Sequence, residues 1–154
     1  MTVSALRWFK AALVLQILLL AYWLAIEVVA LFPWNDIAPR PAGHDLGSSV
    51  ALNALPLLAC TALFALGVRP LALVSALGYG FYLALQIWTW WKPFVLGASS
   101  AWQATYAESF AQTLKILPAY GTRLPPDAQH ITLQLLTLLT LLATAIAVSR
   151  MQHL

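Results

Sequence analysis

Glu27 and His130 are the two side chains in this sequence best suited to move a proton, since a carboxylate and an imidazole form a natural acid and base couple. Both lie in or at the start of long apolar runs. Trp23, Asn53, Tyr82, Gln86 and Gln134 share those runs and carry hydrogen-bonding groups able to hold a small polar ligand. Trp23 and Glu27, Ser49 and Asn53, Tyr82 and Gln86, and His130 and Gln134 are each four residues apart, which sets each pair on one helix face.

A charge at the centre of a membrane helix costs about 2.5 to 3.5 kcal/mol, less near an interface, and marks a functional site by default. Glu27 therefore has two readings: a ligand-binding or proton-handling carboxylate, or a structural carboxyl hydrogen-bonded to Asn53, Gln86 or an indole. His130 either pairs with Glu27 or caps the helix that starts beside it. Glu27 and His130 are the catalytic candidates, and the full set of seven residues named above is the ligand-binding candidate.

Several chemistries lack their residues. His44, Asp45 and His130 show no metal-ligand spacing, so neither a metal nor a cofactor is expected. The lone Cys60 allows no intramolecular disulfide and no Cys-x-x-Cys redox centre. A haem would need paired histidines within the apolar runs, and His130 has no mate there. Phosphate-cradling loops, nucleophile elbows and zinc-protease motifs are absent. The formal charge of +3 is spread without a basic stripe, which excludes a nucleic-acid partner.

The elements that must position these residues are membrane spans. The chain is 62% apolar and 8% charged, where soluble domains are about a quarter charged. Four runs are long enough to cross roughly 30 Å of hydrocarbon: 11–32, 47–66, 71–91 and 128–148. The expected fold is all-α, a single four-span domain over 1–154 forming an antiparallel four-helix transmembrane bundle. The first run follows Arg7 and Lys10 as a signal peptide would, but it is too long and ends in Phe32-Pro33-Trp34 instead of small residues, so it is expected to be retained. Lysine and arginine divide equally between the two sides. The first helix and the discounting of long-loop charges favour cytoplasmic N- and C-termini, in a bacterial-type inner membrane.

Along the chain, Asn53, Pro56 and Cys60 share a face that the proline should kink and turn inward. Gly78 and Gly80 should let a neighbouring helix approach closely. Trp88, Trp90 and Trp91 read as an interfacial belt. Between spans three and four, Ser100 to Gln103 has the form of a capping box, and Trp102, Tyr106, Phe110, Leu114 and Leu117 recur at helical spacing. This predicts an amphipathic helix over 100–117 on the outer interface, with Glu108, Gln112 and Lys115 on its solvated face. Asp127 should cap the fourth span. Counted from the outer ends, Glu27, Asn53, Gln86 and Gln134 all lie on the order of 8 to 10 Å deep, so a bundle would gather them into one polar cluster.

Four spans with a glutamate in the first resemble, in architecture, the small multidrug exporters. The chain departs from them in its length, its long outer loop and the outer placement of Glu27. The leading reading is a non-catalytic accessory or small-ligand or lipid-binding membrane protein, partnered by the bilayer, by a membrane protein or second copy, and by a small polar ligand or lipid. The alternatives are a small oligomeric transporter with Glu27 as coupling carboxylate, and a membrane enzyme on a lipid or quinone with Glu27 and His130 as acid and base.

Overall fold

The computed structural model describes residues 3–37 and 45–151. His44, weighed above as a metal ligand, lies outside the described residues. Where leucine, alanine and valine run without a breaker, and no solvent satisfies the backbone, helix is the available answer. Helix α1 spans Val3–Val28. It begins well before residue 11 because Arg7 and Lys10 carry the helix on into its polar end. It stops short of residue 32 because Asn35 folds back as a cap. The Asn35 Nδ2 donates to Ile26 O at 2.7 Å and Val29 O at 2.8 Å, while its Oδ1 accepts from Leu31 N at 2.7 Å.

Helix α2 spans Leu46–Ala65. Its cap acceptor is the Asp45 carboxylate, which takes the N–H groups of Gly47 and Ser48 and the Ser48 hydroxyl, so the serine is a donor here and not the cap. Val50–Ala54 forms one wide π turn closed by Leu55 N–H on Val50 O. The extra residue accommodates the missing N–H of Pro56. It also leaves Pro56 exposed on the outside of the helix, contrary to the inward face expected from its spacing. Gly67 ends this segment at φ 69°, a conformation that favours glycine.

Helix α3 spans Arg69–Leu96, with Pro70 in its first turn and Pro93 inside its last. Gly97 stops it at φ 93°, where a Cβ would also meet Thr122 Oγ1 at 3.1 Å. Helix α4 covers Ser100–Ser109 and is shorter than the expected 100–117. Ser99, one residue before the expected cap, accepts from Trp102 N at 3.3 Å, and Gln103 reaches back to Ala98 O at 2.9 Å. Beyond Phe110 the chain gives its backbone bonds elsewhere. Leu114 N–H donates to Pro33 O at 2.7 Å and Leu114 O accepts from Ala128 N at 2.8 Å. Those two bonds need extended backbone, so Leu114 and Leu117 lie outside the helix. Helix α5 spans Ala128–Arg150. Helices α1, α2, α3 and α5 are long and apolar enough to cross a membrane.

Packing joins α1 to α5, α5 to α3, α3 to α2 and α2 to α1. The ends of the described chain meet where Arg150 donates to Ser4 Oγ at 2.7 Å; the opposite end carries the long connections. Near the terminal end, Ala12, Phe64, Ala72, Ala143, Ala147 and Val148 form one apolar cluster. Toward the loop end, Leu19, Trp23, Ile26, Leu57, Tyr79 and Leu133 form a second. Helices α2 and α3 meet closely at Gly78. A Cβ on Gly78 would lie 2.5 Å from Cys60 Sγ, well inside contact distance.

Gly78→Val should therefore force α2 and α3 apart and destabilise the fold by about 1 to 3 kcal/mol, the usual range for overpacking. Thermal melting in detergent should show the drop, and Cys60→Ala in the same chain should recover part of it. An unchanged midpoint for Gly78→Val would refute the close contact.

Candidate functional site

Between α3 and α5 the glutamines expected to cluster do meet their neighbours. Trp91 Nε1 donates to Gln134 Oε1 at 2.7 Å, and Gln86 Nε2 donates to Thr137 Oγ1 at 3.2 Å. Thr137 in turn donates to Leu133 O at 2.7 Å. On the other side of α3, Tyr82 OH donates to Asn53 Oδ1 at 3.4 Å, and Asn53 Nδ2 to Ser49 O at 3.0 Å in the wide turn of α2.

These bonds fix which way each amide faces. An indole N–H only donates, so Gln134 must show it the oxygen; Thr137 spends its proton on Leu133 O, so Gln86 must show it the nitrogen. The remaining atoms, Gln86 Oε1 and Gln134 Nε2, are buried and have no hydrogen-bond partner among the described residues. The two residues are 8% and 7% exposed. One orphan is an acceptor and the other a donor, on facing helices. A buried amide atom left unmet costs about 1 to 3 kcal/mol.

Closer to the loop end, Asp127 is fully buried at the start of α5. Its Oδ1 accepts from His130 N at 3.0 Å and contacts His130 Nδ1 at 2.6 Å, and its Oδ2 accepts from Thr113 Oγ1 at 2.8 Å and Gln129 Nε2 at 3.3 Å. Burial pushes the carboxyl's pKa up, but the donated bonds and charge of His130, with the Thr113 hydroxyl, outweigh it and hold the value below the ordinary aspartate range. Lys115 donates to Thr113 O and Thr113 Oγ1, each at 2.7 Å, and to Phe110 O. It is thus half-buried beside the carboxylate and not on a solvated helix face as its spacing suggested. Its burial lowers the ammonium pKa, partly offset by Asp127. Tyr106 donates to Pro125 O at 2.9 Å, and burial, with the nearby Asp127 charge, pushes its phenol up to about 12.

An aromatic wall closes over this hub. Trp90 stacks on the His130 ring at 3.7 Å between centroids and meets Phe110 and Trp102 edge-on at 5.0 and 5.4 Å. Trp90 and Trp91, read from the sequence as belt residues, are therefore part of the interior. Trp88 is exposed, with Lys92 over its ring at 4.3 Å, as a belt residue would be. The signal that separates them was present: Trp90 follows Gln86 by four residues and shares its face, whereas Trp88 does not.

The Nδ1 of His130 thus faces Asp127. Glu27 is half-buried in the last turn of α1, where Asn35 takes the carbonyls of Ile26 and Val29 on either side of it. Trp23 belongs to the second apolar cluster, with Leu57, Tyr79 and Leu133. Tyr22, not singled out by the sequence, accepts from Trp34 Nε1 at 3.0 Å and donates to Gln129 O at 2.9 Å, tying α1 to the start of α5. Among the described residues no group of His, Cys, Asp and Glu gathers that could hold a metal ion. No protein-family model, curated protein or solved structure matches this chain.

Because the folded Asp127 value lies below the unfolded one, its contribution to stability is complete above the unfolded aspartate pKa of about 4. It is lost as pH falls through the lower folded value. Melting followed against pH should show the Asp127 contribution unchanged between pH 7 and 5 and a loss at the acid end. Asp127→Asn should melt lower at pH 7, by about 1 to 3 kcal/mol for a lost charged hydrogen-bond hub, and should lose the acid-side slope. An Asp127→Asn variant that melts like the parent at every pH would contradict the hub.

Proposed function

We propose that this chain is a non-catalytic integral membrane protein that binds a small polar ligand or lipid headgroup in the loop-end half of an antiparallel four-helix transmembrane bundle. The carrying observation is the orphaned pair Gln86 Oε1 and Gln134 Nε2, an acceptor and a donor buried on facing helices. Such a pair suits an uncharged group that gives one hydrogen bond and takes another, such as a hydroxyl or an amide. Tyr82 and Asn53 extend the site toward α2, and Trp91 fixes the Gln134 amide that would meet the ligand.

In this reading α4 lies along the outer interface as a cover, with Tyr106 buried beneath it. The N- and C-termini face the cytoplasm of a bacterial-type inner membrane, on the charge distribution described above. The apolar cluster of Ala12, Phe64, Ala72, Ala143, Ala147 and Val148 closes the terminal end, which favours a binding site over a through path. The engagement of His130 with Asp127 favours a latch over an acid-base partner for Glu27.

Native mass spectrometry of the protein released from nanodiscs tests this. The parent chain should retain a bound lipid or small molecule through detergent exchange, and the double variant Gln86→Leu with Gln134→Leu should lose it while keeping its helical circular dichroism. Glu27→Gln should retain the adduct. A parent chain that carries no adduct, together with a double variant that is more stable, would make the cluster purely structural and end the proposal.

A further inference from the structure

A second set of polar groups lies deeper in the bundle, apart from the loop-end cluster. Gln16, Ser75, Thr140 and Thr144 are each 0% exposed. Gln16 Nε2 donates to Thr144 Oγ1 at 2.9 Å, and Thr140 Oγ1 donates to Leu15 O at 3.3 Å. Two atoms on two different helices remain, Gln16 Oε1 on α1 and Ser75 Oγ on α3, both buried and without a partner. Turning the Gln16 amide over would let Thr144 donate to the oxygen but would orphan the nitrogen, so one amide atom is unmet in either orientation.

Their level in the bundle follows from neighbours. Ala12 and Ala72 belong to one packed cluster with Ala143. Gln16 and Ser75 each stand one helical turn further toward the loop end, since α1 and α3 both run opposite to α5. That direction is set by the Gln16 to Thr144 and Tyr22 to Gln129 contacts for α1, and by the Gln86 to Thr137 and Trp91 to Gln134 contacts for α3. From there the buried face of α5 continues polar through Thr140, Thr137 and Gln134. On the terminal side the alanine and Phe64 cluster seals it.

We propose that Gln16, Ser75 and Thr144 hold an internal water cluster, the blind inner end of a polar seam that descends the face of α5. The occupant must donate to Gln16 Oε1 and exchange a bond with the Ser75 hydroxyl. It must also be small enough to sit above a floor of alanines, and it needs two or more polar partners, which is the setting that buried waters occupy. Water meets each requirement. The seam is a site separate from the ligand at Gln86 and Gln134, and it stands on different atoms.

Solid-state NMR of the protein in lipid bilayers, with magnetisation transferred from water, tests this directly. Transfer should reach the Gln16 side-chain amide and Thr144 at least several-fold more strongly than Ala143 and Ala147 one turn or less away. In the double variant Gln16→Met with Ser75→Ala, transfer to Thr144 should fall to the alanine level while the helical circular dichroism is kept. If that variant does not fold, Ser75→Ala alone should reduce transfer to Gln16 by at least half. Gln16 signals no stronger than those of Ala143 in the parent chain, or a direct Gln16 to Ser75 hydrogen bond in its spectra, would overturn the proposal. Loss of the loop-end adduct would leave these outcomes unaffected, so the two proposals fail separately.

Discussion

The loop end of this protein depends on one fully buried carboxylate. An ionised group withdrawn from solvent is tolerable only where donors surround it, and Asp127 collects them from three directions: the first turn of its own helix, the His130 ring, and the Thr113 hydroxyl of the preceding connection. Those bonds place Lys115 and Thr113 against the start of α5 and set His130 in the plane where Trp90 stacks on it. Through the Leu114 backbone the same segment reaches the loop after α1. The connection between α3 and α5 is held to the bundle by this charge together with the Leu114 backbone bonds and the Trp90 ring contacts.

Helix α5 then carries the polar chemistry through the interior. Its buried face presents Asp127, Gln134, Thr137, Thr140 and Thr144 at helical spacing. Two of the other long helices meet it with complementary groups: Gln16 and Tyr22 from α1, Gln86 and Trp91 from α3. Against lipid, association gains little from apolar burial, so hydrogen bonds between helices and close small-residue contacts such as Gly78 on Cys60 set the register. The hydrogen bonds are incomplete. Atoms left over at Gln86, Gln134, Gln16 and Ser75 fall on the inward faces of the bundle, at two depths. That distribution separates a loop-end site from a deeper seam and leaves an alanine-rich floor beneath both.

The binding role proposed above rests on how the interior polar groups spend their hydrogen bonds. Catalysis needs a group poised to take or give a proton at a substrate. The imidazole of His130 has its Nδ1 at a buried carboxylate and its face on an indole, so it is rigidly placed. The neutral glutamines, by contrast, have matched unspent hydrogen-bonding capacity, which is what recognition of a polar, uncharged group requires.

Composition and apolar run length alone establish four helices able to cross a membrane, because the need to satisfy backbone groups without water admits few alternatives. Period also marks Gln86, Gln134, Thr137 and Thr144 as inward, and identifies Asp127 as a cap. Helix ends are less legible: Asn35 closes α1 by folding back on its last turn, and Leu114 pulls the chain out of α4 through backbone bonds to Pro33 and Ala128, a contact between segments that no local pattern encodes. The π turn is a further case, since one inserted residue rotates everything around it and turns Pro56 outward. Partner choice for polar groups was the least legible. Glu27 and His130 look paired by depth and type, yet Asp127 is three residues from His130 on the same helix and takes it first. Local geometry wins that competition because a capping carboxylate is already held in reach, whereas the level of a side chain across a bundle is fixed only once the helices have packed.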